Sequence, residues 1–272
     1  MTQRVESYPL VIFSPGLGNS RHMYNAIAQS VASFGYVVAT IDHPYDAEFI
    51  EFPDGTIIKA ANITSVEQIV QFVDTRAKDI KFVLDELNKP SIVKQLIPSA
   101  KTNILTKRVA VFGHSLGGVA AATVMMMNDT RIIGGVNLDG MFYGPVIEAG
   151  IREPFLLFGH EGKNQTTDAS WGSIWPRIGK RKLELMLNGA QHGTFTDMPL
   201  VIEALGLTDQ LPAEASSLVG TLLGTRAREI ITAYLVGFFE SVLGCDVVPL
   251  LRGENEKYPE VVFVDGNLSG KQ

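Results

Sequence analysis

Short, almost continuously apolar runs alternate along the chain with longer segments in which apolar residues recur every three or four positions. Residues 8–13, 36–41, 108–112, 132–138, 155–158 and 183–187 are of the first kind. Rich in Val, Ile, Leu and Phe, they read as strands buried on both faces, as in a parallel sheet. Residues 65–87 are the clearest of the second kind, with Val66, Ile69, Val70, Val73, Ala77, Ile80, Val83, Leu84 and Leu87 on one helical stripe. Thr64-Ser-Val-Glu67 fits a capping box at the start of this helix, and Pro90 stops it. The alternation predicts an α/β fold, a mostly parallel central sheet with helices on both faces. Residues 48–59 read as a hairpin around Pro53-Asp54-Gly55, and 160–180 as a polar excursion carrying Trp171 and Trp175. Residues 261–264 can add an edge strand. With no repeat or dividing linker, residues 1–272 read as a single domain.

Composition narrows the class. Of 272 residues, 46% are hydrophobic and 19% charged, as in a soluble globular protein with a large core. The net charge of −6 comes with no basic cluster, so no nucleic-acid partner is expected. Residues 218–243 are the most apolar long segment, but Arg226, Arg228 and Glu229 fall inside it. It therefore reads as a buried helix and not as a membrane span. Cys245 is the only cysteine, which excludes an internal disulfide, and it reads as a buried, inert thiol. The five histidines contain no HExxH pair, and neither a metal nor a cofactor is expected. The first residues lack the apolar stretch of a secretory signal, so the chain reads as cytoplasmic, or as secreted with its signal removed. Asn62, Asn128, Asn164 and Asn267 head sequons, a faint pointer to secretion.

The chemistry centres on Gly113-His114-Ser115-Leu116-Gly117. The pentapeptide Gly-x-Ser-x-Gly is short, but here a strand leads into it and an Ala-, Val- and Met-rich helix leads out. That setting marks a nucleophile elbow, in which a strained serine is pushed out above the sheet. It points to an α/β-hydrolase fold with Ser115 as nucleophile. Side chains at 113 and 117 would collide with neighbouring backbone, which explains the glycines.

A serine hydroxyl needs a base, and on this fold the order is serine, acid, histidine. His192 follows the last strong strand, where such a base belongs; His22 and His43 precede the nucleophile, His114 is inside the elbow, and His160 follows an earlier strand. For the acid, both Asp139, after residues 132–138, and Glu161, after 155–158, fit fold logic. Asp168 and Asp197 fit less well, Asp197 reading as a helix-start acid. The oxyanion hole needs two backbone N–H donors: Leu116, directly after the nucleophile, and Leu17, freed by Gly16 and Gly18 in the loop after the first strand.

Several pieces together resemble the platelet-activating-factor acetylhydrolase (type II, lipoprotein-associated) family: Phe13-Ser-Pro-Gly-Leu-Gly18, Ala39-Thr-Ile-Asp-His-Pro-Tyr-Asp-Ala47, Gly113-His-Ser-Leu-Gly-Gly118, Val136-Asn-Leu-Asp-Gly140 and Gln191-His-Gly-Thr-Phe-Thr-Asp197. The elbow is also similar to those of bacterial and fungal esterases, cutinases and polyester hydrolases. In the acetylhydrolase family the acid follows the sixth strand, so the resemblance favours Asp139 over Glu161. It also implies oxyanion donors at Leu17 and Leu116. Two features depart from the family: Pro15 stands where members often carry His, and the chain is shorter than the animal enzymes. Their lipoprotein-binding and membrane-docking segments are not assumed for it.

The expected activity is that of a serine carboxylic-ester hydrolase working through an acyl-enzyme on small-molecule or lipid esters. The catalytic residues would be Ser115, Asp139 and His192. Met141, Phe142, Tyr143, Trp171, Trp175 and Phe195 are the candidate lining of the acyl site. Only 15 positions separate Asp139 from Pro154, too few for a large lid, so short-chain or otherwise accessible apolar acyl esters are expected. A non-catalytic receptor on the same fold, or an acyltransferase using the same residues, are the alternatives. The sequence carries no signal for oligomeric state.

Overall fold

A computed structural model describes residues 7–100, 103–244 and 246–269; Cys245 lies outside the described residues. The chain runs through β1 (Ser7–Ser14), α1 (Asn25–Ala32), β2 (Val37–Thr40), β3 (Phe49–Glu51), β4 (Ile57–Lys59), α2 (Val66–Leu87), α3 (Pro90–Leu96) and β5 (Asn103–His114). It continues with α4 (Leu116–Met126), β6 (Ile132–Leu138), α5 (Val146–Ala149), β7 (Phe155–His160), α6 (Ala169–Ile174) and β8 (Lys182–Leu187). Last come α7 (Met198–Ala204), α8 (Ala213–Val219), α9 (Gly224–Leu243) and β9 (Val261–Asn267).

Seven strands form one sheet in the order β2-β1-β5-β6-β7-β8-β9. All neighbours are parallel except β8 and β9, so the edge strand anticipated at 261–264 is present, longer and antiparallel. The expected hairpin is β3 paired with β4.

Alternate residues of each central strand enter opposite cores, because side chains on a strand point to opposite faces. Val11, Phe13, Ala110, Phe112, Leu156 and Phe158 pack with α1 and α9. Their neighbours Leu10, Ile12, Val109, Val111, Phe155 and Leu157 pack with α2, α4 and α6. Both faces are covered, and that is why the strands show no polar alternation.

Strand order reverses at β1: β2 lies on one side of it and β5 on the other. At such a switch point the loops leaving the two strands diverge and open a crevice above their carboxyl ends. Ser14 pairs with Gly113 and His114 with Leu138, so the loops after β1, β5 and β6 leave side by side.

Several local details differ from expectation. The cap of α2 is one residue later than predicted: Ser65 Oγ accepts from Gln68 N at 3.3 Å, and Gln68 Oε1 accepts from Ser65 N at 3.1 Å. Gln68, and not Glu67, therefore closes the box. Pro90 does not merely stop α2; it starts α3, where a missing N–H costs nothing. Residues 218–243 are two helices, parted at Gly220, whose φ is 77°. Among the described residues no helix is long and apolar enough to cross a membrane. Asp197 stands before α7, but its carboxylate accepts from Ala26 N at 2.9 Å and so caps α1.

Candidate active site

Ser115 sits between β5 and α4 at φ 53°, ψ −125°, a backbone state that costs a non-glycine residue roughly 1–3 kcal/mol. Packing enforces it. A Cβ at Gly117 would lie 1.9 Å from Ser14 O, and one at Gly113 would lie 2.3 Å from Gly117 C. The start of α4 thus crosses β1 and β5 at a separation only glycine permits. Ser115 N donates to Leu138 O at 2.8 Å, tying the elbow to β6.

Asp139, the first residue after β6, is also at positive φ (61°) and is completely buried. The Asn137 side chain clamps its turn, accepting from Gly140 N at 2.7 Å and donating to Gly140 O at 2.8 Å. Asp139 Oδ2 lies 2.5 Å from His192 Nδ1. A carboxylate only accepts, so Nδ1 carries the proton, and Nε2 is the nitrogen left to serve as a general base. The Ser115 hydroxyl makes no hydrogen bond to His192 among the described residues. Such contacts commonly tighten only once substrate is bound. Burial alone would raise the Asp139 pKa, but bonds donated by His160 and His192, with Lys163 nearby, hold it well below the usual carboxylate range. Glu161, the other candidate acid, instead accepts from Gly189 N at 2.8 Å and braces the loop before His192.

The loop after β1 lies against the elbow, with Ser14 O and Pro15 O beside Gly117 and Gly16 beside His114, and Leu17 follows directly. Among the described residues neither Leu17 N nor Leu116 N has an internal acceptor. Gly16 N is already occupied, donating to Tyr24 Oη at 3.0 Å. Sequence reasoning missed what holds this loop. Arg76, fully buried on α2, donates to both Asp46 oxygens (2.6 and 2.5 Å), to Ser14 Oγ and Gly16 O (3.2 Å each) and to Pro15 O. Ser14 Oγ also bonds His43 Nε2 at 2.9 Å, and His43 Nδ1 bonds Asp79 at 2.7 Å. This second Ser–His–Asp set has the atom order of a hydrolytic triad, but Ser14 and His43 are sealed from solvent. Burial also lowers the His43 pKa despite the Asp79 bond, so the ring stays neutral. It braces the loop.

A further chain of bonds joins the loop to His192. Tyr24 Oη accepts from Gly16 N and Asn19 Nδ2 and lies 2.9 Å from His114 Nδ1; His114 Nε2 lies 3.0 Å from His192 O. Burial, with His192 adding to it, lowers the His114 pKa to about 3, so the ring is neutral. A carbonyl only accepts, so Nε2 carries the proton and Nδ1 accepts from Tyr24. The direction of every bond in the chain is thereby determined.

Of the six lining candidates, Met141 is half exposed and Tyr143 partly so. Phe142, Trp171, Trp175 and Phe195 are buried. They anchor the loops from beneath: Trp171 Nε1 donates to Gly140 O at 2.7 Å, and Trp175 Nε1 to Asp265 Oδ2 at 3.0 Å. Beside the loop after β1 lies an open groove of about 1070 Å³ lined by Gly18, Arg21, Met23, Phe49 and Phe52, among others.

A mostly parallel sheet with a serine at positive φ in the β5–α4 turn, and a His–Asp pair drawn from the loops after β8 and β6, defines an α/β-hydrolase fold. Residues 1–244 match the family platelet-activating factor acetylhydrolase, isoform II, and the chain belongs to that family. It is 36% identical over 271 residues to a probable 1-alkyl-2-acetylglycerophosphocholine esterase of Arthroderma benhamiae, across 94% of this chain and 66% of that protein. It is 25% identical over 263 residues to platelet-activating factor acetylhydrolase of Cavia porcellus, across 89% of this chain and 59% of that one. The chain thus spans just under two thirds or less of these curated relatives. A solved ferulic acid esterase from Streptomyces cinnamoneus superposes with a TM-score of 0.82 at 33% identity, covering 95% of this chain and 74% of that one.

Proposed function

We propose that the protein is a serine carboxylic-ester hydrolase that acts through an acyl-enzyme on short-chain or otherwise accessible acyl esters. The observation that carries this reading is the His192 Nδ1–Asp139 Oδ2 bond, with His192 O tied to His114 in the elbow that holds Ser115 at φ 53°. In this reading Ser115 Oγ attacks the ester carbonyl carbon as His192 Nε2 takes its proton. The carbonyl oxygen becomes an oxyanion and accepts from Leu17 N and Leu116 N, at the positive end of the α4 dipole. Asp139 stabilises the imidazolium; His192 then protonates the departing alcohol, leaving Ser115 acylated. Water, deprotonated by the same histidine, releases the acid and restores the serine.

Family membership and the names of the relatives support ester hydrolysis. They point to different acyl groups, acetyl for the fungal and animal proteins and feruloyl for the bacterial one. The segment between β6 and β7 holds only the short α5, which supports an unlidded site open to either.

A panel of nitrophenyl acetate, butyrate, laurate and feruloyl esters, run on the wild type and Ser115→Ala, tests the reading. Turnover that vanishes in Ser115→Ala and is fastest on the short or feruloyl esters is expected. Turnover that survives the substitution refutes Ser115, and a maximum at laurate refutes the substrate class.

A further inference from the structure

In the sequence His160 precedes the loop in which a base belongs. At the end of β7 it occupies one of the two strand ends from which an acid can serve this fold, yet it is a histidine. Its ring turns back to the acid after β6. His160 Nδ1 lies 2.7 Å from Asp139 Oδ1, and its backbone N donates to the same oxygen at 3.1 Å. Asp139 Oδ2 is left for His192. Lys163, from the loop after β7, donates to Asp139 O at 2.7 Å and lies 3.8 Å from Oδ1 and 3.4 Å from Asp168 Oδ2. One buried carboxylate thus carries two histidines, one on each oxygen.

We propose that His160 is a positioning residue that holds the Asp139 carboxyl turned so that Oδ2 meets His192, and that moderates the basicity His192 experiences. The proposal rests on the assignment of Asp139 and His192 to catalysis. Its physical basis is that a carboxyl group rotates freely unless both oxygens are held, and two donors on Oδ1 stop that rotation. A carboxylate sharing its charge with His160 and Lys163 is also a weaker acceptor for His192 than one bonded to His192 alone. The charged or titratable groups facing Asp139 are His160, Lys163, His192 and, from the elbow, His114. His160 in turn faces Asp139, with Glu161 beside it engaged by Gly189 N.

The test compares His160→Leu, His160→Gln and His160→Asn with the wild type and with Ser115→Ala. Asn can place its amide where Nδ1 stands; Gln and Leu cannot. In His160→Leu and His160→Gln, kcat is expected to fall about 10- to 100-fold with KM within about twofold. That is well short of the ~10⁴ lost when the orienting acid itself is changed. The acidic limb of kcat/KM moves to higher pH, because the unshared carboxylate stabilises the imidazolium more. His160→Asn restores both. A lower melting temperature with unchanged kcat and pH profile overturns the proposal, as does failure of His160→Asn to rescue. If His160→Leu does not fold, His160→Gln against His160→Asn carries the same comparison. Activity surviving in Ser115→Ala would instead overturn the site assignment. Loss in Ser115→Ala beside a wild-type His160→Leu would overturn only the role of His160.

Discussion

Tyr24→Phe removes one oxygen atom that does not belong to the proposed catalytic groups but links two of the loops that carry them. The Tyr24 hydroxyl accepts from Gly16 N at 3.0 Å, directly before the proposed oxyanion donor Leu17, and donates to His114, which holds the backbone of His192. Burial raises the Tyr24 pKa to about 12, so the hydroxyl remains a donor across the working pH range. Without it, Gly16 N–H and His114 Nδ1 are both left unpaired in the interior, at about 1–3 kcal/mol each. Asn19 is near enough to solvent to bond water. The expected loss of stability is therefore about 2–6 kcal/mol. One oxyanion donor is worth about 10²–10³ in kcat when removed outright, so its displacement is expected to lower kcat about 10- to 100-fold. KM is expected to stay within about twofold. Steady-state kinetics on a nitrophenyl ester at a temperature where both proteins are folded reads this directly. The ¹⁵N shifts of His114 should report an Nε2–H tautomer from pH 5 to 9 in the wild type. Wild-type kcat in a destabilised Tyr24→Phe protein, or an Nδ1–H tautomer at His114, would refute the linkage.

Two further outcomes concern stability. Glu184 is buried on β8 with Oε2 unpaired, and burial raises its pKa to about 7. The folded state binds this proton more tightly than the unfolded chain. Its stability is therefore greatest below the ordinary carboxyl range and falls as pH rises through about 7, by about 3–4 kcal/mol at ~1.4 kcal/mol per pKa unit. Glu184→Gln should accordingly melt higher than the wild type at pH 8 and close to it at pH 4.5; an equal gap at both pH values would contradict this. Arg76→Met should cost about 3–5 kcal/mol, because it leaves the Asp46 carboxylate buried without its partner. Chemical denaturation should show part of that loss recovered in Arg76→Met/Asp46→Leu, and no recovery would count against the ion pair as the cause.

Strands and elbow were legible because each depends on a local pattern: continuous apolar runs for the strands, and glycines at fixed offsets from Ser115 for the elbow. Chain order likewise points to His192, and the two strand ends to Asp139 and Glu161 as candidate acids. Arg76 was not legible. It lies on the apolar stripe of α2, where a lone charge reads as a solvated residue, and its partner Asp46 is thirty positions away in a loop. The burial of the aromatic residues was not legible for a related reason. A large apolar side chain on a loop above the sheet can face the substrate or fold under to anchor the loop, and composition does not distinguish the two. Trp171 and Trp175 fold under, each held by its indole N–H. The cap of α2 slipped by one position because Thr64 and Ser65 both suit it. Gln68 Oε1 in fact accepts from the backbone N–H groups of both.

Whether Ser115 is a nucleophile activated by His192 is read most directly by intact-protein mass spectrometry after treatment with a fluorophosphonate. One adduct per chain is expected on the wild type, mapped to the peptide containing Ser115. Ser115→Ala should stay unlabelled, and His192→Ala should be labelled far more slowly. An unlabelled wild type, or an adduct that persists in Ser115→Ala, would contradict that role.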